Sequence, residues 1–94
     1  MHRLIWGQSF VRGYKRVAKR NPALAGQLEE TLNLLARDPF SPRLETHKLK
    51  GKLAGAWACS LGYDLRVIFD FCRSQSGVET DILLMDIGTH DEVY

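Results

Sequence analysis

The spacing of hydrophobic and polar positions changes twice along this chain of 94 residues. Residues 3–7 contain a short apolar run, Leu4, Ile5 and Trp6, that stops at Gly7 and reads as a first strand. Ser9 is placed to cap a helix. Phe10, Val11, Tyr14, Val17 and Ala18 then recur at helical spacing, with Arg12, Lys15, Arg16, Lys19 and Arg20 on the other side. Gly13 weakens that helix slightly. Asn21 and Pro22 supply a cap and a first-turn proline for a second helix, striped by Leu24, Leu28, Leu32 and Leu35 and ended by Asp38-Pro39. Two adjacent amphipathic helices form a hairpin whose apolar stripes need a sheet to cover.

From Asp38 to Lys52 the sequence DPFSPRLETHKLKGK has two prolines, a glycine and little periodicity, and reads as a largely irregular connection. A loop of that length in a small domain is a place to look for function, and it carries His47 with Lys48, Lys50 and Lys52. Beyond Ala56 the period becomes two. AWACSL, a turn at Gly62-Tyr63, DLRVIFDFC, a polar turn SQSG and ETDILLMDI make a three-stranded antiparallel meander. Within DLRVIFDFC, Leu65, Val67, Phe69 and Phe71 face the helices, and Asp64, Arg66, Ile68 and Asp70 face away. Ser60, across the tight turn, joins Asp64 and Arg66 in a polar cluster on that open face. The expectation is one α+β domain over residues 1–94, ordered strand, helical hairpin, meander.

Composition adds little to this picture until it is divided along the chain. With 45% apolar residues the protein is ordinary for a globular domain. No apolar run is long enough to span a bilayer and none at the N-terminus has the form of a signal peptide, so the expected compartment is the cytoplasm, without a membrane partner. The overall charge of +2 conceals a division. Residues 1–52 hold 11 Lys+Arg against 4 Asp+Glu, a net +7, whereas residues 53–94 hold 2 against 7, a net −5. The basic half points to an anionic partner, phosphate first, or else to a plain solvated helix face. Cys59 and Cys72 lie in apolar runs at a spacing that fits no metal motif, so both are expected to be buried, reduced thiols. Trp6 and Trp57 are expected in the core.

The closing stretch DIGTHDEVY sets His90 and Tyr94 where a chain end would ordinarily fray. If the preceding strand is central to the sheet, its end is anchored and both side chains are held beside Arg66. Gly88 is expected to let the backbone turn there. Each of these residues also has a plainer reading. His47 would be a solvated loop residue, Asp64 and Arg66 a structural ion pair, Tyr94 a packing residue, and His2 is incidental.

HKLKG, GYDLRVIFDF and IGTH ahead of a C-terminal aromatic, in this order of elements, resemble the RelE/ParE superfamily of bacterial toxins. Within it the YafQ-like mRNA interferases of type II toxin–antitoxin systems are the most similar. The resemblance implies a RelE-like α+β fold and a toxin that cuts mRNA on the 70S ribosome until a cognate antitoxin wraps around it, with no cofactor, metal or small-molecule ligand. The same superfamily also contains gyrase inhibitors that cut no RNA, so a non-catalytic gyrase-binding toxin or an inactive antitoxin-binding relative is the alternative. Carried over by position, the loop histidine is His47, the strand aspartate Asp64, the terminal histidine His90 and the terminal aromatic Tyr94, and Arg66 matches the strand arginine of RelE-type members. Lys48, Lys50 and Lys52, with Arg12 and Lys15, are the candidate RNA contacts. Two positions depart from the pattern: Ser60 stands where YafQ-like enzymes carry a histidine and Asp86 where they carry an arginine. Cutting RNA through its own 2′-hydroxyl needs a base, an acid for the leaving 5′-oxygen and positive charge at the phosphate. Histidine suits the first two tasks and arginine the third.

Overall fold

The computed structural model describes residues 1–75, 77 and 79–94. Strand β1 (Leu4–Trp6) leads into helix α1 (Gln8–Arg20), then come helix α2 (Ala25–Arg37), strands β2 (His47–Lys48), β3 (Trp57–Leu61), β4 (Leu65–Arg73) and β5 (Thr80–Thr89), and the short helix α3 (His90–Val93). The five strands form one sheet in the order β1-β5-β4-β3-β2. The pairings β2–β3, β3–β4 and β4–β5 are antiparallel and β1 runs parallel to β5. The expected α+β order holds, and β5 is an interior strand, bonded on both sides. Two elements go beyond the sequence reading. The connection over residues 38–52 is not merely irregular, because it contains two 3-10 turns and the two-residue edge strand β2, and α3 follows β5 directly. The polar turn expected at residues 74–77 includes Ser76, which lies outside the described residues.

The hairpin covers one face of the sheet. Phe10 and Val17 from α1 and Leu28, Leu32 and Leu35 from α2 meet Cys59, Leu61, Val67, Phe69, Ile82, Leu84 and Ile87 in the main core. Gly13 does more than weaken its helix: a Cβ there would lie 2.6 Å from the Ile87 carbonyl oxygen, so the missing side chain lets α1 settle onto β5. Ser9 does not cap α1. Gly7 holds that position, its amide donating to the Leu84 carbonyl at 2.9 Å and its carbonyl accepting from Val11 at 3.0 Å, and Ser9 sits in the first turn, accepting from Arg12. Trp6 leans on Phe10 and Tyr14 but is 45% exposed, and Trp57 is half-buried, so neither is the core residue expected. Cys59 is fully buried, while Cys72 is only half-buried.

The other face carries a second, smaller cluster. Ala56, Ala58 and Ile68 are buried there beneath Leu49, Met85 and Val93. Ile68 does point away from the helices, but the loop after β2 and helix α3 fold over it. A bulge in β5 controls this face. Ile68 pairs with Asp86 and Phe69 with Leu84, leaving Met85 without a partner, so Ile87 joins Ile82 and Leu84 in the core although its position is odd in number.

Candidate active site

On the second face, the segment after β2 and the end of β5 border one cleft of about 340 Å³, lined by His47, Leu49, Lys50, Lys52, Leu53, His90 and Tyr94. Residues more than forty positions apart in sequence meet because β2 pairs with β3 and β5 crosses the sheet two strands away. Alternation along β2 determines which of its side chains takes part. His47 stands opposite Ala58 on the cleft face. Lys48 stands opposite Trp57, its Nζ 5.8 Å from the Trp57 ring on the helix-facing side, and does not line the cleft.

His47 is oriented by its own loop. Glu45 adopts a left-handed backbone (φ 50°) after a 3-10 turn over Pro42–Leu44, and its carbonyl lies 3.0 Å from His47 Nδ1. A carbonyl accepts only, so Nδ1 carries the proton in that bond and Nε2 of the neutral ring keeps its lone pair. At the other wall the His90 and Tyr94 rings meet edge to face, centroids 4.5 Å apart at 79°. Burial raises the Tyr94 phenol above its usual range, with the Arg66 charge opposing the shift and Cys59 adding to it. Lys50 and Lys52 bring two ammonium groups to the rim, and Leu49 and Leu53 give the cleft an apolar floor. Sequence reasoning missed both leucines, since isolated apolar residues in a loop have no period to reveal them.

The remaining candidates are placed differently. Arg66 lies between Ser60 on β3 and Gly88 on β5, as the open-face reading required, and its guanidinium donates to the Leu65 carbonyl at 2.9 Å. It does not line the cleft but is near enough to act on Tyr94. Asp64 is not on the strand face. It is exposed in the turn that begins at Gly62 (φ +62°), and among the described residues no ion pair joins it to Arg66. Arg12 and Lys15 are exposed on α1, across the sheet from the cleft. Ser60 borders a different groove, between α2 and β3, and the Asp86 carboxylate turns back to accept from the Ile87 amide at 2.8 Å. His2 is at the far end of β5, its Nδ1 2.7 Å from the Thr80 carbonyl. Gly88 has an ordinary negative-side backbone. Its lack of a side chain instead admits α3, since a Cβ there would lie 3.1 Å from Glu92 and 3.2 Å from Val93.

Among the described residues no group of three or more His, Cys, Asp or Glu side chains is arranged to hold a metal, and no helix is long and apolar enough to cross a membrane. Sequence comparison with curated proteins gives no match. The fold has many solved counterparts. YafQ from E. coli strain BL21(DE3) superposes with a TM-score of 0.79 at 14% identity, over 100% of this chain and 99% of that one. YafQ in the E. coli DinJ-YafQ complex gives 0.78 at 16% identity, with 100% and 99% coverage. A metal-bound toxin from Helicobacter pylori gives 0.77 at 25% identity, over the whole of both chains. The model of the bacterial toxin of type II toxin–antitoxin systems, YafQ, matches residues 2–94. From β1 to Tyr94, then, this chain belongs to the YafQ family of bacterial type II toxins.

Proposed function

We propose that this toxin is a ribosome-dependent mRNA endoribonuclease acting in the cytoplasm. The observation that carries the reading is the cleft itself, in which His47, Lys50, Lys52, His90 and Tyr94 converge from two distant segments. His47 Nε2 takes the proton from the substrate 2′-hydroxyl, whose oxygen attacks the adjacent phosphorus. His90 gives a proton to the leaving 5′-oxygen as its bond to phosphorus breaks, so the products are a 2′,3′-cyclic phosphate and a free 5′-hydroxyl. Lys50 and Lys52, with Arg66 behind Tyr94, offset the charge that gathers on the phosphorane oxygens. Tyr94 stacks on a splayed base or orients a proton. Base, acid and cations all come from the chain, so the proposed reaction uses no metal or other cofactor. Asp64, Lys48, Arg12 and Lys15 stand outside the cleft and in this reading serve, at most, wider electrostatic attraction of RNA.

A cognate antitoxin is the expected protein partner. DinJ and YafQ form such a complex in E. coli, and the basic half of this chain suits an acidic segment laid over it. Expression without the antitoxin should arrest growth, and primer extension on a translated transcript should show breaks inside the reading frame. Folded His90→Ala and His47→Ala should each slow cutting by roughly 10²–10⁴-fold, and His2→Ala should not. Tyr94→Phe separates the two uses of the ring: activity is retained if stacking matters and lost if the hydroxyl does. If both histidine variants cut at the wild-type rate, the acid–base assignment is wrong. Intact messages beside relaxed or broken DNA would favour the gyrase-binding alternative.

A further inference from the structure

His90 begins, and Tyr94 directly follows, a helix of four residues, too short to hold itself in water. It is held instead from three sides. Thr89 and Glu92 close a reciprocal cap: the Thr89 amide donates to Glu92 Oε1 at 2.9 Å and the Glu92 amide donates to Thr89 Oγ1 at 3.3 Å. The second carboxylate oxygen of Glu92 pairs with Arg16 Nε at 3.4 Å and Arg20 Nη2 at 3.2 Å. Arg16 also donates from Nη2 to the Ile87 carbonyl at 3.2 Å, so one guanidinium joins α1 both to the strand before α3 and to α3 itself. On the inner side Val93 packs on the Ala58 and Ile68 cluster, and Gly88 leaves room for it. The Glu92 carboxyl lies below its usual range, chiefly through the Thr89 amide; burial opposes that shift, and Arg20, the Thr89 hydroxyl and Arg16 each add a smaller lowering effect.

These contacts act on both rings together. His90 and Tyr94 are four positions apart, so they share a helix face, and the Tyr94 amide donates to the His90 carbonyl at 3.0 Å. Any rotation of α3 about its docking contacts therefore swings both side chains across the cleft. We propose that Glu92 is a positioning residue for this site: by tying Thr89 to Arg16 and Arg20 it fixes the His90 and Tyr94 rings over the cleft. The inference rests on the endoribonuclease reading for its catalytic consequence but not for its geometry. It also gives Arg16 and Arg20, two of the basic residues on α1, a structural task.

The test uses the full-length toxin with Glu92→Ala, Glu92→Gln and Gly88→Ala. Two quantities are read: the NMR shifts of the His90 imidazole protons, which the Tyr94 ring perturbs, and kcat and KM for cutting a ribosome-bound message. In Glu92→Ala the imidazole shifts should move to those of an unstructured histidine, and kcat should fall on the order of 10²-fold with KM nearly unchanged. Glu92→Gln keeps an oxygen for the Thr89 amide without the charge and should fall between alanine and wild type. Gly88→Ala keeps the Glu92 charge but presses a methyl on Glu92 Cβ, Glu92 Oε1 and Val93, displacing α3, and should shift both readouts in the same direction. Wild-type imidazole shifts in Glu92→Ala, or moved shifts with an unchanged kcat, overturn the proposal. Should the wild-type protein leave messages intact, the endoribonuclease reading fails separately. The imidazole shifts then decide alone whether Glu92 holds the two rings.

Discussion

Alanine at Gly13 and alanine at Gly26 are the same chemical change in the middle of α1 and near the start of α2, yet they should alter stability in opposite directions. In a solvated helix either substitution gains up to about 1 kcal/mol, because glycine loses more backbone freedom on folding. At Gly26 nothing lies within 4 Å of the added carbon, so that gain is retained. At Gly13 the new methyl would meet the Ile87 carbonyl oxygen at 2.6 Å and the Ile87 Cγ2 at 2.9 Å. Weak carbon–oxygen contacts sit at about 3.3–3.6 Å, so α1 must back away from β5 by roughly 0.7 Å. A backbone oxygen cannot rotate aside as a side-chain tip would. The retreat loosens Phe10 and Val17, both buried, and overpacking of this kind costs about 1–3 kcal/mol. A value in the upper half of that range exceeds the helix gain and leaves a net loss of about 1–2 kcal/mol. In a domain this small that corresponds to a Tm lower by roughly 5–15 °C, against a rise of up to about 4–8 °C for Gly26→Ala. Thermal unfolding followed by circular dichroism measures both. A Gly13→Ala protein as stable as the Gly26→Ala protein would show that the close approach of α1 to β5 does not require glycine.

Three further outcomes follow from the structure. Burial pushes the Cys59 thiol up to about 12, so a thiol reagent should modify the half-buried Cys72 first and reach Cys59 only on unfolding; mass spectrometry of the native protein should show a single adduct. The Glu92 carboxyl is held below its ordinary value, so the docking of α3 contributes stability that is complete above about pH 4.5 and is lost as pH falls through the lower folded value; the Val93 methyl signals should move over that acid range and not near neutrality. Charge reversal at Lys50 and Lys52 together should weaken binding of single-stranded RNA and flatten its dependence on salt, whereas reversal at Lys48, on the other face, should do less.

Much of this architecture was readable from the sequence because it rests on repeated spacing. The leucine stripe of α2 and the alternation of β4 state which face is buried, and both hold. What a period cannot state is what covers the opposite face. Ile68 shares its side of the sheet with Arg66, yet it is buried because Leu49 and Val93 reach over it from elements too short to show any period. For the same reason β2 was invisible, and with it the separation of His47 from Lys48. Asp64 stands one position outside the strand that the apolar pattern predicts, since the turn after Gly62 extends one residue further than that pattern requires. The cap of α3 is different: Thr89 and Glu92 have the spacing of a capping box, so the sequence does carry a signal for this docked helix. His47, marked by its long loop, and His90, marked by the anchored end of β5, both match the family pattern and meet in one cleft. The arginine expected beside them lies just behind it.

The unpaired Met85 has a consequence for how chains of this kind can differ in length. Strict alternation from Ile82 and Leu84 would carry Asp86 into the core and turn Ile87 outward, and the bulge reverses that assignment. Removal of Met85 would restore a regular ladder with Ile87 still inward and Gly88 still outward, at the cost of one apolar contact on Ile68 and Ala58. Removal of one residue between Ile87 and His90 would have no such remedy and would turn His90 away from its cleft. Insertions and deletions among relatives should therefore accumulate at the bulge, where a gap in alignment leaves the terminal histidine in place.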